Sequence, residues 1–339
     1  MIPRTATTWQ TENWQKELAS AIRDPRELLQ ALDLPMSLLA GAQQAGEQFP
    51  LRVTASYLSR IEKANPDDPL LRQILPLAVE LDTSDGYRLD PVGDLSASPV
   101  PGLLHKYHGR VLLVTTGACA IHCRYCFRRH YPYAEGCANS TQLDQIIEYI
   151  QSDITITEVI LSGGDPLTLS NSRLAELFKR LNSISHLKRI RLHTRLPIVL
   201  PSRIDQGLLA LFSEQARQIV LVVHCNHPNE IDSQVSKCLV QLDQIGVSLL
   251  NQSVLLSGVN DNIVSLTELS ERLFAAKTIP YYLHLLDRVQ GAEHFEVERD
   301  KATDLIQQLR NLLPGYLVPT LVEEKEGAPA KLPLTTNSL

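Results

Sequence analysis

The sequence lacks a long hydrophobic run, a surplus of positive charge and an apolar amino-terminal segment. Apolar runs such as 219–223 are only a few residues long, whereas a membrane-spanning helix needs about 20 apolar residues. Asp and Glu (38) outnumber Lys and Arg (32), giving a net charge of −6, and proteins that bind a nucleic-acid backbone concentrate positive charge. Residues 1–20 have no apolar core and do not resemble a secretory signal. We therefore expect a cytoplasmic protein without a membrane or nucleic-acid partner.

Cysteine is also scarce, with six residues among 339. Cytoplasmic thiols are kept reduced, so these cysteines indicate metal or redox chemistry rather than a disulfide framework. A composition of 44% hydrophobic and 21% charged residues is typical of a folded globular protein. The length allows two domains or one large domain.

The first hundred residues lack the pattern of a buried sheet. Apolar residues recur at helical spacing over 12–32, with a break at Asp24-Pro25, and again over 55–63. Segment 82–102 is rich in Asp, Ser, Pro and Gly, which is typical of a connection. We therefore expect a helical region over 1–100, joined by this connection to the remainder of the chain.

From residue 111 onward, short apolar runs alternate with amphipathic stretches. The predicted strands are 111–115, 158–161, 189–193, 219–224, 248–254 and 280–286. The predicted helices are 142–151, 172–181, 206–214, 234–245, 265–276 and 299–312. Six such units predict an α/β fold with a parallel sheet, either a partial (β/α)6 barrel or a doubly wound sheet. In both folds a ligand site lies at the carboxyl ends of the strands.

Three cysteines follow the first predicted strand directly. Cys119, Cys123 and Cys126 have the spacing Cys-x-x-x-Cys-x-x-Cys. Thiolates bind soft metals, so this loop predicts a zinc ion or an iron–sulfur cluster. A closed structural zinc site needs a fourth ligand, for which Cys137 and His122 are candidates.

Arginines are interspersed with these cysteines. Arg124, Arg128 and Arg129 are expected to lower the pKa of the neighbouring thiols and to bind an anionic ligand. The other two cysteines, Cys225 and Cys238, lie within a strand and a helix pattern. We expect both to be small buried side chains.

The cysteine spacing after a first βα strand resembles the signature of radical S-adenosylmethionine enzymes. A glycine-containing segment, Ser-Gly-Gly-Asp-Pro at 162–166, follows the second strand and matches a second element of that family. The resemblance implies a partial barrel whose Cys119, Cys123 and Cys126 hold a [4Fe–4S] cluster. It also implies that the open iron binds S-adenosylmethionine. The residues implied to contact that cofactor are Ser162, Gly163, Gly164 and Asp165.

Further segments resemble the lysine 2,3-aminomutases in one unbroken order over about 100–335. They are 123–129, 161–165, 195–201, 226–230, 251–256 and 326–334. The resemblance implies an isomerase that generates a 5′-deoxyadenosyl radical and also uses pyridoxal 5′-phosphate. Lys331 would form an imine with that cofactor. Arg110, Gln252 and Lys106 would bind the cofactor phosphate, with Tyr107 nearby, although Lys106 stands where these enzymes have arginine.

The resemblance also implies how the substrate is held. Arg128 would bind its carboxylate, and Asp287 and Glu324 would bind its side-chain ammonium. Glu324 stands where the catabolic enzymes have aspartate. Because an unpaired buried ammonium is costly, two acids favour a cationic substrate such as lysine over glutamate. The same resemblance divides the chain into a helical region 1–100, a barrel 101–315 and a segment 316–339 that carries the cofactor lysine.

Within the family, 65–73, 100–108 and 282–287 resemble the members that serve β-lysylation of elongation factor P. This implies conversion of (S)-α-lysine to (R)-β-lysine, a ligase that attaches the product to the elongation factor, and an electron donor such as flavodoxin or ferredoxin. Catabolic members continue into a cysteine-rich zinc segment, and Asn262 stands where they have one of those cysteines. The alternatives are a catabolic lysine 2,3-aminomutase, a radical enzyme without pyridoxal phosphate and a non-catalytic metal-binding module.

Overall fold

A computed structural model describes residues 13–136 and 140–334. Nine strands in these ranges form one sheet in which strand order follows chain order. They are β1 (Leu103–Tyr107), β2 (Arg110–Thr116), β3 (Glu158–Gly163), β4 (Arg189–Thr194), β5 (Gln218–Val223), β6 (Ser248–Val254), β7 (Ile279–His284), β8 (Thr320–Glu323) and β9 (Leu332–Pro333).

Strands β2 to β8 are parallel, whereas β1 and β9 pair antiparallel at the two edges. The order never reverses, so the sheet has no switch point of the kind that defines a doubly wound fold. It is therefore the open barrel that the sequence predicted. The six predicted strands are confirmed as β2 to β7, and β8 adds a seventh parallel strand.

Within the described residues, five short α-helices precede the sheet. They are α1 (Asn13–Ala19), α2 (Pro25–Ala31), α3 (Leu39–Gln48), α4 (Ala55–Leu58) and α5 (Pro69–Arg72). The predicted break at Asp24-Pro25 is confirmed, because the Asp24 side chain caps α2 by accepting a hydrogen bond from Arg26 N. The helix predicted over 55–63 is shorter than expected. The chain turns after Leu58, and Glu62 N donates to the Asp68 carboxylate instead of to a helical carbonyl.

Eight α-helices of the described ranges accompany the parallel strands. They are α6 (Tyr133–Gly136), α7 (Ser140–Ser152), α8 (Asn171–Asn182), α9 (Leu196–Val199), α10 (Gln206–Ser213), α11 (Ser233–Gln244), α12 (Ile263–Ala275) and α13 (Arg299–Leu312). Side chains of Ser170, Asp205, Asp232 and Asn262 cap the amino ends of α8, α10, α11 and α12. Within the described ranges, no helix combines the length and the apolarity that crossing a bilayer requires.

The amino-terminal helices and the barrel share one hydrophobic core. Trp14, Leu28 and Tyr57 are buried in the same cluster as residues from the barrel strands and helices. The Arg203 guanidinium lies over the Trp14 ring at 4.6 Å. Segment 82–102 is irregular, as expected of a connection, but it is bound to the barrel through Arg88 N, which donates to Arg288 O at 2.9 Å. The three-part division of the chain stays a prediction.

Inward-facing positions on the strands are partly polar. On β4, Ile190 and Leu192 are buried toward the helices, whereas Arg189, Arg191 and His193 line the barrel lumen. This alternation follows from the two-residue period of a strand. Apolar residues such as Leu112 and Ile160 line the lumen as well, so the lumen combines charged groups with an apolar wall.

Candidate active site

A cavity of about 660 Å³ extends from the carboxyl ends of the strands into the barrel lumen. All of the site residues that the family resemblance implies line it. They are Cys119, Cys123, Cys126, Ser162, Gly163, Gly164, Asp165, Lys106, Tyr107, Arg110, Arg128, Gln252, Asp287, Glu324 and Lys331. Residues that lie up to 225 positions apart in the sequence (106 to 331) thus face one space.

The cysteine loop lies directly against the end of β3. Gly164 N donates to Thr116 O at 2.6 Å, and Asp165 N donates to Ala118 O at 2.8 Å. Gly163 has φ +111°, and a Cβ on Gly164 would overlap Ala118 O. Only glycine fits at these two positions. The glycine segment therefore fixes where the loop that carries the thiols can lie.

The pKa values of two thiols are raised, although the sequence predicted that they would be lowered. Burial first, and then the charge of Cys123, raises the pKa of Cys126 to about 11, although Arg128 and Arg129 oppose this. Burial raises the pKa of Cys119 as well. Arg128 and Arg129 do lower the pKa of Cys126, as expected, but desolvation and the mutual repulsion of the thiols outweigh them. Arg195 contacts the thiol of Cys123 directly, with its Nη1 2.7 Å from Cys123 Sγ.

Two of the three loop arginines do not reach the cavity. Arg124 Nε donates to Glu80 Oε1 at 2.9 Å, and Arg129 Nη2 donates to Glu80 Oε2 at 2.7 Å. All three side chains are at most 1% exposed. The expected anion-binding role of Arg124 and Arg129 is therefore wrong, because both guanidiniums are bound to a buried carboxylate. Only Arg128 of the three lines the cavity.

His122 does not line the cavity that the three thiols share, so the structure does not place it as the fourth ligand of a zinc site. Its Nδ1 lies 2.7 Å from Pro50 O, and its ring stacks on Phe49 at 5.2 Å. Cys137 lies outside the described residues. The described ranges hold no three Cys, His, Asp or Glu side chains already at metal-ligand geometry. Three soft thiols around one cavity, with a coordination position left open, nevertheless form the donor set that suits an iron–sulfur cluster.

The remaining cysteines are structural. Cys225 and Cys238 are 0% and 3% exposed, which confirms the prediction of small buried side chains.

The Asp165 carboxylate is hydrogen-bonded within the protein. Thr194 Oγ1 and Arg195 N each donate to its carboxylate at 2.7 Å. Burial raises the pKa of Asp165 to about 6, although these hydrogen bonds lower it.

Five charged side chains of alternating sign form a continuous series along the cavity wall, which we call the ion-pair chain. Arg128 Nε lies 2.6 Å from Asp94 Oδ2, and Lys106 Nζ lies 2.5 Å from Asp94 Oδ1. Lys106 Nζ is also 3.2 Å from Glu324 Oε1, and Lys331 Nζ is 2.5 Å from Glu324 Oε2. The chain connects Arg128, which follows the cysteine loop, to Lys331, which precedes β9.

Two carboxylates near the end of this chain differ in ionisation. Burial raises the pKa of Glu324, but Lys331 and Lys106 outweigh it and hold that pKa at about 2. Burial and then the charge of Glu324 raise the pKa of Asp287 to about 7. The Asp287 side chain makes no hydrogen bond or ion pair with the described residues. This part of the cavity is therefore suited to an added cation.

Arginines line another part of the lumen. The Arg110 guanidinium lies 4.7 Å from the centre of the Tyr107 ring and makes no ion pair with the residues that the structure describes. Arg191 Nη2 donates to Glu158 Oε2 at 2.8 Å, and its Nε is buried without a partner among those residues. These positive charges can bind an anionic group such as a phosphate.

Sequence reasoning missed Asp94 and three histidines. Asp94 lies in the irregular segment 82–102, where no strand or helix pattern marks an inward position. His193, His224 and His284 line the cavity, and their Nε2 atoms are buried with no partner among the described residues. Burial lowers the pKa of all three, that of His224 to about 4, so the rings are neutral. The inward polar positions on the predicted strands could have identified His193.

Known proteins share both the sequence pattern and the length of this chain. Residues 113–222 match the model of the radical SAM superfamily. An L-lysine 2,3-aminomutase of Escherichia coli is 48% identical over 97% of this chain and 96% of its own length. Its counterpart in Haemophilus influenzae is 44% identical over 98% of both. An L-lysine 2,3-aminomutase of Acetoanaerobium sticklandii is 35% identical over 96% of this chain and 78% of its own length.

Proposed function

The chain belongs to the lysine 2,3-aminomutase family of radical SAM enzymes and is an isomerase, and we propose that it converts (S)-α-lysine to (R)-β-lysine with pyridoxal phosphate as a second cofactor. Membership implies a [4Fe–4S] cluster and S-adenosylmethionine. One observation carries the proposal. The cysteine loop, Lys331 and the acids Asp287 and Glu324 line a single cavity.

The thiols of Cys119, Cys123 and Cys126 would hold the cluster, which supplies the electron that cleaves S-adenosylmethionine to a carbon radical. Ser162, Gly163 and Gly164 would contact that cofactor through the loop that follows β3. Asp165 holds this loop to the end of β4 through Thr194 and Arg195 N. These hydrogen bonds hold the loop beside the thiols.

Lys331, Arg110, Gln252 and Tyr107 would hold pyridoxal phosphate. When bound, this cofactor supplies the π bond through which a nitrogen can move between adjacent carbons. Arg110 offers a guanidinium without an ion-pair partner among the described residues, as a phosphate site requires. The unpartnered Nε2 atoms of the cavity histidines fit a polar occupant of the lumen. Lys106 does not fit the phosphate role predicted for it, because its ammonium binds Asp94, Val92 O and Glu324.

The substrate would lie between Arg128 and the two acids. The Arg128 guanidinium would bind the substrate carboxylate through its terminal nitrogens, because its Nε is bound to Asp94. Asp287 and Glu324 would bind the side-chain ammonium. A glutamate side chain would place a carboxylate beside two acids, which is strongly unfavourable in a buried site.

We propose further that the product serves β-lysylation of elongation factor P, through a ligase that attaches it to a lysine of that factor. A reductant such as flavodoxin or ferredoxin would supply electrons. The motifs at 65–73, 100–108 and 282–287 support this role. Nearly full-length similarity to the Escherichia coli and Haemophilus influenzae proteins is compatible with it.

The test is anaerobic incubation of the reconstituted protein with (S)-lysine, S-adenosylmethionine, pyridoxal phosphate and a reductant, followed by chiral chromatography. (R)-β-Lysine is the expected product, and omission of pyridoxal phosphate should abolish it. The (S) product would indicate the catabolic function instead. Cleavage of S-adenosylmethionine without β-lysine would contradict the assignment of Asp287 and Glu324 to lysine.

A further inference from the structure

The ammonium of Lys106 has no N–H left for a phosphate. Its three acceptors are Asp94 Oδ1 at 2.5 Å, Val92 O at 2.8 Å and Glu324 Oε1 at 3.2 Å. A lysine ammonium has three N–H donors. All three are thus used within the protein, and the side chain is only 16% exposed. The geometry is that of a bridge between two carboxylates.

Both carboxylates in the ion-pair chain are shared. Glu324 binds Lys106 through Oε1 and Lys331 through Oε2. Asp94 binds Lys106 through Oδ1 and Arg128 through Oδ2. In a partly buried site, a carboxylate that gains or loses one cation changes its attraction for the other, because little solvent screens the charges.

We propose that Asp94 and Lys106 are positioning residues that control how strongly Glu324 holds the ammonium of Lys331. This inference depends on the proposed function, in which Lys331 bonds to pyridoxal phosphate. Bonding requires the neutral amine. The ammonium first loses a proton to solvent, the nitrogen lone pair attacks the aldehyde carbon, and a C=N bond replaces C=O as the oxygen leaves with two hydrogens as water. The tighter Glu324 holds the ammonium, the higher the pH at which Lys331 reacts.

Because the charges alternate in sign along the ion-pair chain, substitutions of Lys106 and of Asp94 should change the hold of Glu324 on Lys331 in opposite directions. In Lys106→Met, Glu324 retains Lys331 as its cationic partner, so the ammonium is held more tightly. In Asp94→Asn, Lys106 interacts more strongly with Glu324, so Glu324 holds Lys331 less tightly. A merely structural role for either residue would not produce shifts of opposite sign.

Other titratable groups also face Lys331. Asp287 follows β7 and is the other acid close to it, and the Tyr107 hydroxyl from β1 faces Glu324. His193, His224 and His284 face Lys331 from β4, β5 and β7, and burial keeps them neutral. Because Asp287 titrates near neutral pH, Lys106→Met and Asp94→Asn are compared both in the native background and together with Asp287→Asn.

The experiment measures the pH dependence of pyridoxal phosphate attachment to the full-length protein. Visible absorbance follows the adduct, borohydride traps it, and peptide mass spectrometry locates it. We expect the midpoint to rise by about one pH unit in Lys106→Met and to fall by about one unit in Asp94→Asn. Lys106→Arg should restore the native midpoint. Lys325→Met, which removes an exposed lysine between Glu324 and Lys331, should leave it unchanged.

Shifts of the same sign, or unchanged midpoints with Lys331 still labelled, would overturn the inference and leave the proposed function intact. Absence of label at Lys331 in the native protein would overturn both. Thermal unfolding of each variant shows whether it is folded, and the isosteric Asp94→Asn change keeps the test available if Lys106→Met is unstable.

Discussion

Two groups of buried charge near the cysteine loop differ in whether their side chains can contact a ligand in the cavity. In the first, which we call the closed cluster, Arg124 and Arg129 bind Glu80 with all three side chains at most 1% exposed. In the second, the ion-pair chain, side-chain exposure reaches 19% at Lys331, and every member lines the cavity. Arg128 and Arg129 are adjacent in sequence but belong to different groups.

The difference shows how a buried charge can be recognised as functional. The closed cluster satisfies its carboxylate inside the protein and has no face toward a ligand. The ion-pair chain ends beside Asp287, whose carboxylate has no described partner, and beside a cavity of about 660 Å³. A carboxylate whose partners lie away from any ligand is structural, whereas an unpartnered carboxylate at a cavity wall indicates ligand binding.

The strongest test of the ion-pair chain is Lys331→Ala. We expect lysine isomerisation to fall by at least ~1000-fold, because Lys106, the other described cavity lysine, is bound to Asp94, Val92 O and Glu324 and does not replace it. Chiral chromatography of β-lysine under anaerobic conditions measures the loss. Lys325→Ala is the matched control and should retain activity. If Lys331→Ala kept a tenth of the native rate, the role of Lys331 would be wrong.

The closed cluster should respond in stability instead. Glu80→Gln leaves two buried guanidiniums without their carboxylate, which is expected to lower the free energy of unfolding by about 3–5 kcal/mol. Urea denaturation measures this. Asp94→Asn should cost less, since Lys106 and Arg128 border the cavity and can be hydrated there. Equal losses in the two variants would remove the distinction between the groups.

Adjacent arginines provide a third comparison. Arg128→Lys should raise KM for lysine by about 10- to 100-fold, because an ammonium cannot bind a carboxylate in the bidentate manner of a guanidinium. Arg129→Lys should lower the denaturation midpoint while leaving KM nearly unchanged. Steady-state kinetics and urea denaturation on both proteins measure the two effects. A similar KM increase in both would show that Arg128 has no special role.

The smallest effect concerns pH. Asp287 has a pKa raised to about 7, so it is largely neutral below that pH and ionised above it. An ammonium binds the ionised form, and kcat/KM for lysine should therefore rise about tenfold from pH 6 to pH 8. Asp287→Asn should remove this rise. A pH profile that keeps its inflection in the variant would assign the titration to another group.

The same substitution has an expected effect on stability. Because the folded-state pKa of Asp287 lies above the ~3.9 of an unfolded aspartate, folding becomes less favourable as pH rises from about 4 to 7. Asp287→Asn should remove that loss and stabilise the empty protein above pH 7. Urea midpoints at pH 5 and pH 8 measure it.

The parallel strands were predictable because each of them, from β2 to β7, carries a local apolar pattern. The cysteine loop was likewise visible in its spacing. Strands β8 and β9 were not, since β9 has two residues, one of them Pro333, and β8 has four. Such short strands are recognisable only by the neighbours with which they pair.

The site was predictable to a different degree for each residue. The position of Lys331 came from resemblance, because nothing local distinguishes it from an exposed lysine. Asp94 and the assignment of Arg124 and Arg129 to Glu80 were not predictable. These contacts form between segments that meet only in the folded chain, such as 82–102, which brings Asp94 to Lys106 and Arg128.

The hairpin of β8 and β9 places Glu324 and Lys331 on one short stretch of chain that pairs with β7. The cysteine loop, the glycine segment and Arg128 all precede it. In evolutionary terms, a barrel could therefore acquire or lose its carbonyl-reactive lysine together with the acid that holds it in one step. The residues of the radical-generating half of the site would remain unchanged in that step.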